Sequence, residues 1–163
     1  MTQRFFRRGS LKRSYAGPQS EVDKLLAAGW TEVANLDPTL DEARQIKVND
    51  MKARCWIEIE KGITLTVGGV TYTFPTKFTD QANVHGQFSY AFRFGTAKEP
   101  YKLWCADPTG VWARRGFTAT QIGDIAAAVK ERVSSQQDHY EAKLNEINDP
   151  AKTVAAQIEA VTW

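Results

Sequence analysis

Residues 63–74 read Ile63-Thr64-Leu65-Thr66-Val67-Gly68-Gly69-Val70-Thr71-Tyr72-Thr73-Phe74. Two runs of β-branched and aromatic residues flank a Gly-Gly pair that accepts positive φ at both turn positions. That combination predicts a two-residue hairpin. Ile63, Leu65 and Val67 alternate with Thr64 and Thr66, so one face is apolar and the other hydroxylated. A second hairpin is expected at 101–117, where Lys102–Ala106 and Val111–Arg115 flank Asp107-Pro108-Thr109-Gly110. Proline presets the first turn position and glycine takes the left-handed one. Trp104 and Trp112 are expected to pair across it.

Helices surround these hairpins. On the N-terminal side, Thr39 and Glu42 have capping-box spacing, and Val48, Met51, Cys55 and Ile59 then recur at helical intervals up to Gly62. Ala53, Cys55, Ile57 and Ile59 also alternate as in a strand; the longer capped pattern favours helix. On the C-terminal side, Thr118 and Gln121 repeat the capping-box spacing. Ile122, Ile125, Val129, Val133, Tyr140, Leu144 and Ile147 then hold one stripe. At about 1.5 Å per residue, a helix from Thr120 to Asn148 spans roughly 43 Å. Pro150 breaks it, and a short helix is expected over Thr153–Val161. Residues 79–95 carry no decisive pattern, and a short helix from Thr79 is one reading. The fold class is α+β: two β-hairpins packed against helices, a long C-terminal amphipathic helix and an extended N-terminal arm.

That arm is residues 1–19. It carries Arg4, Arg7, Arg8, Lys12 and Arg13 and no acid, a charge of +5. The other 144 residues hold 16 Lys and Arg against 19 Asp and Glu, a charge of −3. The arm is expected to be ordered only against an anionic partner surface. Its candidate partner-binding residues are Arg4, Phe5, Phe6, Arg7, Arg8, Lys12, Arg13 and Tyr15. A short helix from Ser20 to Gly29, a strand near Trp30–Val33 and a linker over Asn35–Pro38 fill residues 20–38. Residues 39–163 form the α+β body.

The long stripe has two readings. It covers the hairpins within one chain, or it meets copies of itself. Ala126, Val129, Val133, Gln136 and Tyr140 keep the 3-4-3-4 rhythm of a coiled-coil seam. The candidate oligomer-helix residues are Ile122, Val129, Val133, Tyr140, Leu144 and Ile147.

No sequence feature supports a reaction class, so a non-enzyme is expected, without cofactor or metal. His85 and His139 stand in no metal-ligand spacing. Cys55 and Cys105 read as buried free thiols rather than nucleophiles. Gly68-Gly69 is not followed by the Lys-Ser/Thr of a phosphate loop. No apolar run reaches the roughly 18 residues of a membrane span, and Arg7-Arg8 interrupts any signal-peptide core. The chain is therefore expected to be cytoplasmic when made. Aromatics interleaved with cations in the arm also suit single-stranded nucleic acid, a reading that the acidic body disfavours.

From Thr39 onward, the order of features resembles a domain of unknown function common in bacteriophage tail-fibre and tail-associated proteins. The resemblance is carried by Leu40-Asp41-Glu42-Ala43-Arg44-Gln45-Ile46-Lys47, Ile59-Glu60-Lys61-Gly62-Ile63 and Gly69-Val70-Thr71-Tyr72-Thr73-Phe74 with Thr79-Asp80. It continues through Trp112, Phe117-Thr118-Ala119-Thr120-Gln121-Ile122, the helix with His139 and Tyr140, and Ile158-Glu159-Ala160-Val161. The chain departs from that pattern at 81–100, which is rich in aromatics (Phe88, Tyr90, Phe92, Phe94). Residues 1–38 lie outside the resemblance, which implies a virion tail component. Joined to the charge of the arm and the long stripe, it leads to the expectation of a protein docked by its arm to fibre, baseplate or tail-tube proteins and forming a homo-oligomer such as a trimer. An assembly chaperone absent from the mature virion is the alternative it leaves.

Overall fold

The computed structural model describes residues 3–33 and 36–163. The chain divides into two compact units. One comprises residues up to Val48 with Ile147–Thr162, and the other Asn49–Glu146 with Trp163. The α+β class holds: two antiparallel sheets are accompanied by helices, including a long one near the C-terminus.

The first unit contains a three-stranded sheet of order β2-β1-β3, formed by β1 (Arg4–Arg8), β2 (Leu11–Tyr15) and β3 (Thr31–Val33). The segment expected as an extended arm is thus strand-paired within its own chain. Arg4 lies opposite Tyr15, Arg8 opposite Leu11, and Phe5 opposite Val33. The physical reason is that acids distant in sequence supply the anionic surface, and Phe6 has an apolar site to fill. Helix α1 (Gln19–Ala27) contributes buried Val22. Of the linker expected over Asn35–Pro38, Asn35 lies outside the described residues and Leu36–Pro38 is irregular.

Helix α2 runs Leu40–Glu60 and settles the helix–strand choice over 53–59. Its predicted cap is formed: the Thr39 backbone N–H donates to Glu42 Oε2 at 2.9 Å, and Glu42 N–H donates to Thr39 Oγ1 at 3.3 Å. Met51, Cys55 and Ile59 are buried at the predicted spacing, whereas Trp56 and Ile57 face solvent.

The second unit is built on a four-stranded antiparallel sheet, β4 (Ile63–Val67), β5 (Val70–Phe74), β6 (Tyr101–Ala106) and β7 (Trp112–Phe117), in that order. Gly68 and Gly69 sit at φ +60° and +82°, which the tight β4–β5 turn requires. β5 and β6 share only the pair Thr73–Ala106, so their other ends diverge. Five residues separate β6 from β7, which sets Trp104 opposite Arg114 and Trp112 opposite Ala106. The two tryptophans are therefore not a facing pair, a correction that the loop length imposes. Asp107 organises this loop: its Oδ1 accepts from Thr109 N–H and Val111 N–H, and its Oδ2 accepts from Arg115 at 2.7 Å.

Residues 78–94 form a full helix, α3 (Phe78–Phe94), longer than the sequence suggested. It is followed by a short 3-10 turn, Gly95–Lys98. Helix α4 (Ala119–Ile147) carries the second predicted cap, with Thr118 N–H to Gln121 Oε1 at 2.9 Å and Gln121 N–H to Thr118 Oγ1 at 3.2 Å. Val84 and Ala91 of α3 and Ile122, Ile125 and Val129 of α4 close over Val67, Phe74, Leu103, Cys105 and Phe117. Tyr72, Phe74 and Phe117 meet with ring centroids 5.5–6.2 Å apart, in tilted or edge-on contact. α2 joins this unit through the Cys55 thiol on the Gln136 carbonyl, 3.5 Å, and through Arg132 donating to the Glu58 carbonyl. Helix α5 (Ala155–Glu159) belongs to the first unit, where Ile158 is fully buried.

Candidate binding surfaces

The eight residues singled out in the N-terminal segment meet different fates. Phe6 is fully buried, and Phe5 and Tyr15 are half-buried. Arg4 donates to both Glu32 oxygens and to Gln19 Oε1 at 2.8 Å. Arg7 donates to Glu42 and to the Asp37 carbonyl. Arg8 donates to the Ala28 carbonyl at 3.0 Å and lies over Trp30, 5.4 Å from the ring centroid. Lys12 reaches Glu42 at 3.6 Å. Arg13 is exposed and unpaired among the described residues. Four of the five cations thus have intramolecular anions or carbonyls, and Phe6 is unavailable to a partner while the sheet is formed. Glu42 registers this neighbourhood. Its hydrogen bond from Arg7, then that from the Thr39 backbone, hold its carboxyl down at about 2.

β2 retains an open side. It lies at the sheet edge, and Leu11, Lys12, Arg13 and Ser14 are all exposed. An edge strand presents unpaired backbone groups to any further strand.

Of the α4 stripe, Ile122, Val129 and Ile147 are buried within the chain, so they are not available as a seam between copies. Val133, Tyr140 and Leu144 are half-buried. His139 stacks edge-on against Trp163, with centroids 4.6 Å apart, and His85 borders a groove. That groove, about 510 Å³, is apolar, with Phe88 of α3 facing Gly123, Ala126 and Ala127 of α4. Both cysteines are buried and free, and burial pushes their thiols up. Among the described residues no group of His, Cys, Asp and Glu is arranged to hold a metal. No described helix is long and apolar enough to cross a membrane.

Sequence reasoning missed a second cleft, of about 390 Å³, in the unit of residues 49–146. It opens where β5 leaves β6. Its floor is Phe74, Val84 and Leu103, all buried. One wall is a polar stripe of α3: Asp80, Asn83 and Gln87, at i, i+3 and i+7. The other is the outer face of β6 and β7, with Lys102, Trp104 and Arg114. Lys102 and Trp104 are two apart and share a face, and Arg114 stands directly across from Trp104. Asp80 Oδ2 accepts from the Lys77 backbone N–H at 3.2 Å, which fixes its carboxylate on the first turn of α3. Lys102, Arg114, Asn83 and Gln87 have no partner among the described residues.

These features define an α+β chain whose second unit is a four-stranded antiparallel sheet roofed by two helices, with its opposite face open beside a polar cleft. Residues 42–162 match the family model of a domain of unknown function, DUF4376, and the chain belongs to that family. No curated protein and no solved structure matches it.

Proposed function

We propose that this protein is a structural or adaptor component of a bacteriophage tail, docking through the outer strand of its N-terminal hairpin. The observation that carries the docking reading is β2, an edge strand with Leu11, Lys12 and Arg13 all exposed. An extended acidic segment of a neighbouring tail protein suits this edge. Main-chain hydrogen bonds would continue the sheet, and Arg13, the β2 cation without an intramolecular anion among the described residues, would meet its carboxylates. The tail assignment is supported by the sequence resemblance to tail-fibre-associated domains.

The test is mass spectrometry of purified particles made with the wild-type chain and with a Leu11→Asp, Arg13→Glu variant. Neither side chain has an intramolecular ion pair to lose. Wild type in the particles and variant depleted from them is the expected result. Wild type abundant in lysate but absent from particles favours an assembly chaperone. Normal incorporation of the variant removes the docking role of β2.

A further inference from the structure

We propose that the cleft between α3 and the β6–β7 hairpin binds a saccharide carrying a carboxylate. The inference goes beyond the tail reading, because every residue it uses lies in the unit of residues 49–146.

A sugar ring makes two demands at once. Its C–H faces need a flat apolar surface, and its rim of hydroxyls needs donors and acceptors in fixed places. Trp104 supplies the first: the residue is 52% exposed and lines the cleft. The α3 stripe supplies the second. Asn83 and Gln87 each offer a carbonyl acceptor and an NH₂ donor, and Asp80 accepts only. Their helical spacing holds all three toward the same side, and the backbone bond from Lys77 sets the angle of Asp80.

The charge balance points to the acid. Lys102 and Arg114 flank Trp104 along and across the strands, and neither has an anionic partner among the described residues. A carboxylate fits the planar fork of Arg114, with Lys102 as a second point charge. Asp80 limits the choice further. A phosphate backbone would meet a fixed carboxylate and only two cations. A single carboxylate among hydroxyls meets cations at one wall and an acceptor for hydroxyl protons at the other. The volume, about 390 Å³, falls within the usual range for small-ligand sites.

The experiment uses the full chain on an array of carboxylated and neutral glycans, followed by calorimetry with the strongest carboxylated ligand. A twelve-nucleotide oligothymidylate is titrated in parallel. Selective binding of carboxylated glycans is expected. Arg114→Gln should weaken it at least tenfold, and Trp104→Ala should remove detectable binding. Phe92→Ser, at an aromatic 86% exposed and outside the cleft, should leave it unchanged. Far-ultraviolet circular dichroism confirms that each variant is folded, and Arg114→Gln keeps the test intact if Trp104→Ala is not. The proposal is overturned if no carboxylated glycan binds or if neutral counterparts bind equally well. It is also overturned if Arg114→Gln has no effect. Tighter binding of oligothymidylate, lost in the same variants, would replace the sugar with single-stranded nucleic acid.

Discussion

Thr76 is fully buried with its hydroxyl bonded on both sides, and replacing it isolates one hydrogen-bonded junction. Its hydroxyl donates to the Ile59 carbonyl at the end of α2 and accepts from Gly62 N–H at 3.0 Å, where the chain turns into β4. Thr76→Val keeps the shape and removes both bonds. A buried polar group left without a partner costs about 1–3 kcal/mol, and here two are stranded. Partial relaxation and the added methyl offset some of this, so a net loss of about 3 kcal/mol is expected. Thr76→Ser keeps the hydroxyl and loses one methyl, about 0.8 kcal/mol. For a chain of this size, each kcal/mol shifts Tm by about 2–4 °C, so the valine variant should melt roughly 6–12 °C lower. Tryptophan fluorescence is a suitable probe, because Trp56, Trp104, Trp112 and Trp163 all belong to the same unit as Thr76. A valine variant that melts within about 2 °C of the serine variant would refute the reasoning, since shape and not hydrogen bonding would then hold the junction.

Gly62→Ala should destabilise the same unit: Gly62 sits at φ +85°, and an added Cβ would stand 2.7 Å from the Phe74 carbonyl oxygen, which is backbone and cannot swing aside. A loss of more than about 2 kcal/mol by urea denaturation is expected. The Glu42 carboxyl is held at about 2, below its ordinary value of 4.5. Its stabilising contribution is therefore complete above about pH 4.5 and declines as pH falls toward 2. Glu42→Gln should flatten the acid limb of the first unit's stability in that window, read by amide chemical shifts; an unchanged limb would exclude Glu42 as its source. Amides of β1, flanked by strands on both sides, should exchange hydrogen more slowly than those of β2, and equal rates would argue against the sheet order. Cys55 and Cys105 should resist a thiol reagent in the native chain and react fully in denaturant, because burial disfavours both thiolates.

The elements legible in the sequence were those specified by local chemistry. The Gly68-Gly69 turn, the two capping boxes and the stripe from Ile122 to Ile147 each declare themselves within a few residues. α3 was hard to read because its buried positions, Val84 and Ala91, are small, while Phe78 and Phe92 point to solvent. The largest side chains of that segment therefore mark the wrong face. The N-terminal hairpin was missed for a different reason. Its strands are cationic rather than alternating, and the anions that make it stable lie 28 and 35 residues away, at Glu32 and Glu42. The cleft shows both problems together. Asp80, Asn83 and Gln87 form a stripe only once α3 is a helix. Their juxtaposition with Trp104 and Arg114 depends on the divergence of β5 from β6, which no local pattern encodes.

Net charge by segment was the strongest argument for an anionic partner of the arm, and the burial of Phe6 limits how such a partner can be met. Freeing a fully buried phenylalanine costs about 3 kcal/mol before any ladder hydrogen bond is counted. At about 1.4 kcal/mol per factor of ten, the released arm would be populated below about 1%. A partner that needed that state would bind roughly a hundredfold more weakly than its contacts permit. Docking on the outside of β2 carries no such cost, because its edge and the Arg13 side chain are already exposed in the folded sheet. The same criterion, charge without an intramolecular partner, selects Lys102 and Arg114 in the other unit. Local compensation, rather than the sign of a segment's total charge, separates cations that hold this fold together from cations free to hold something else.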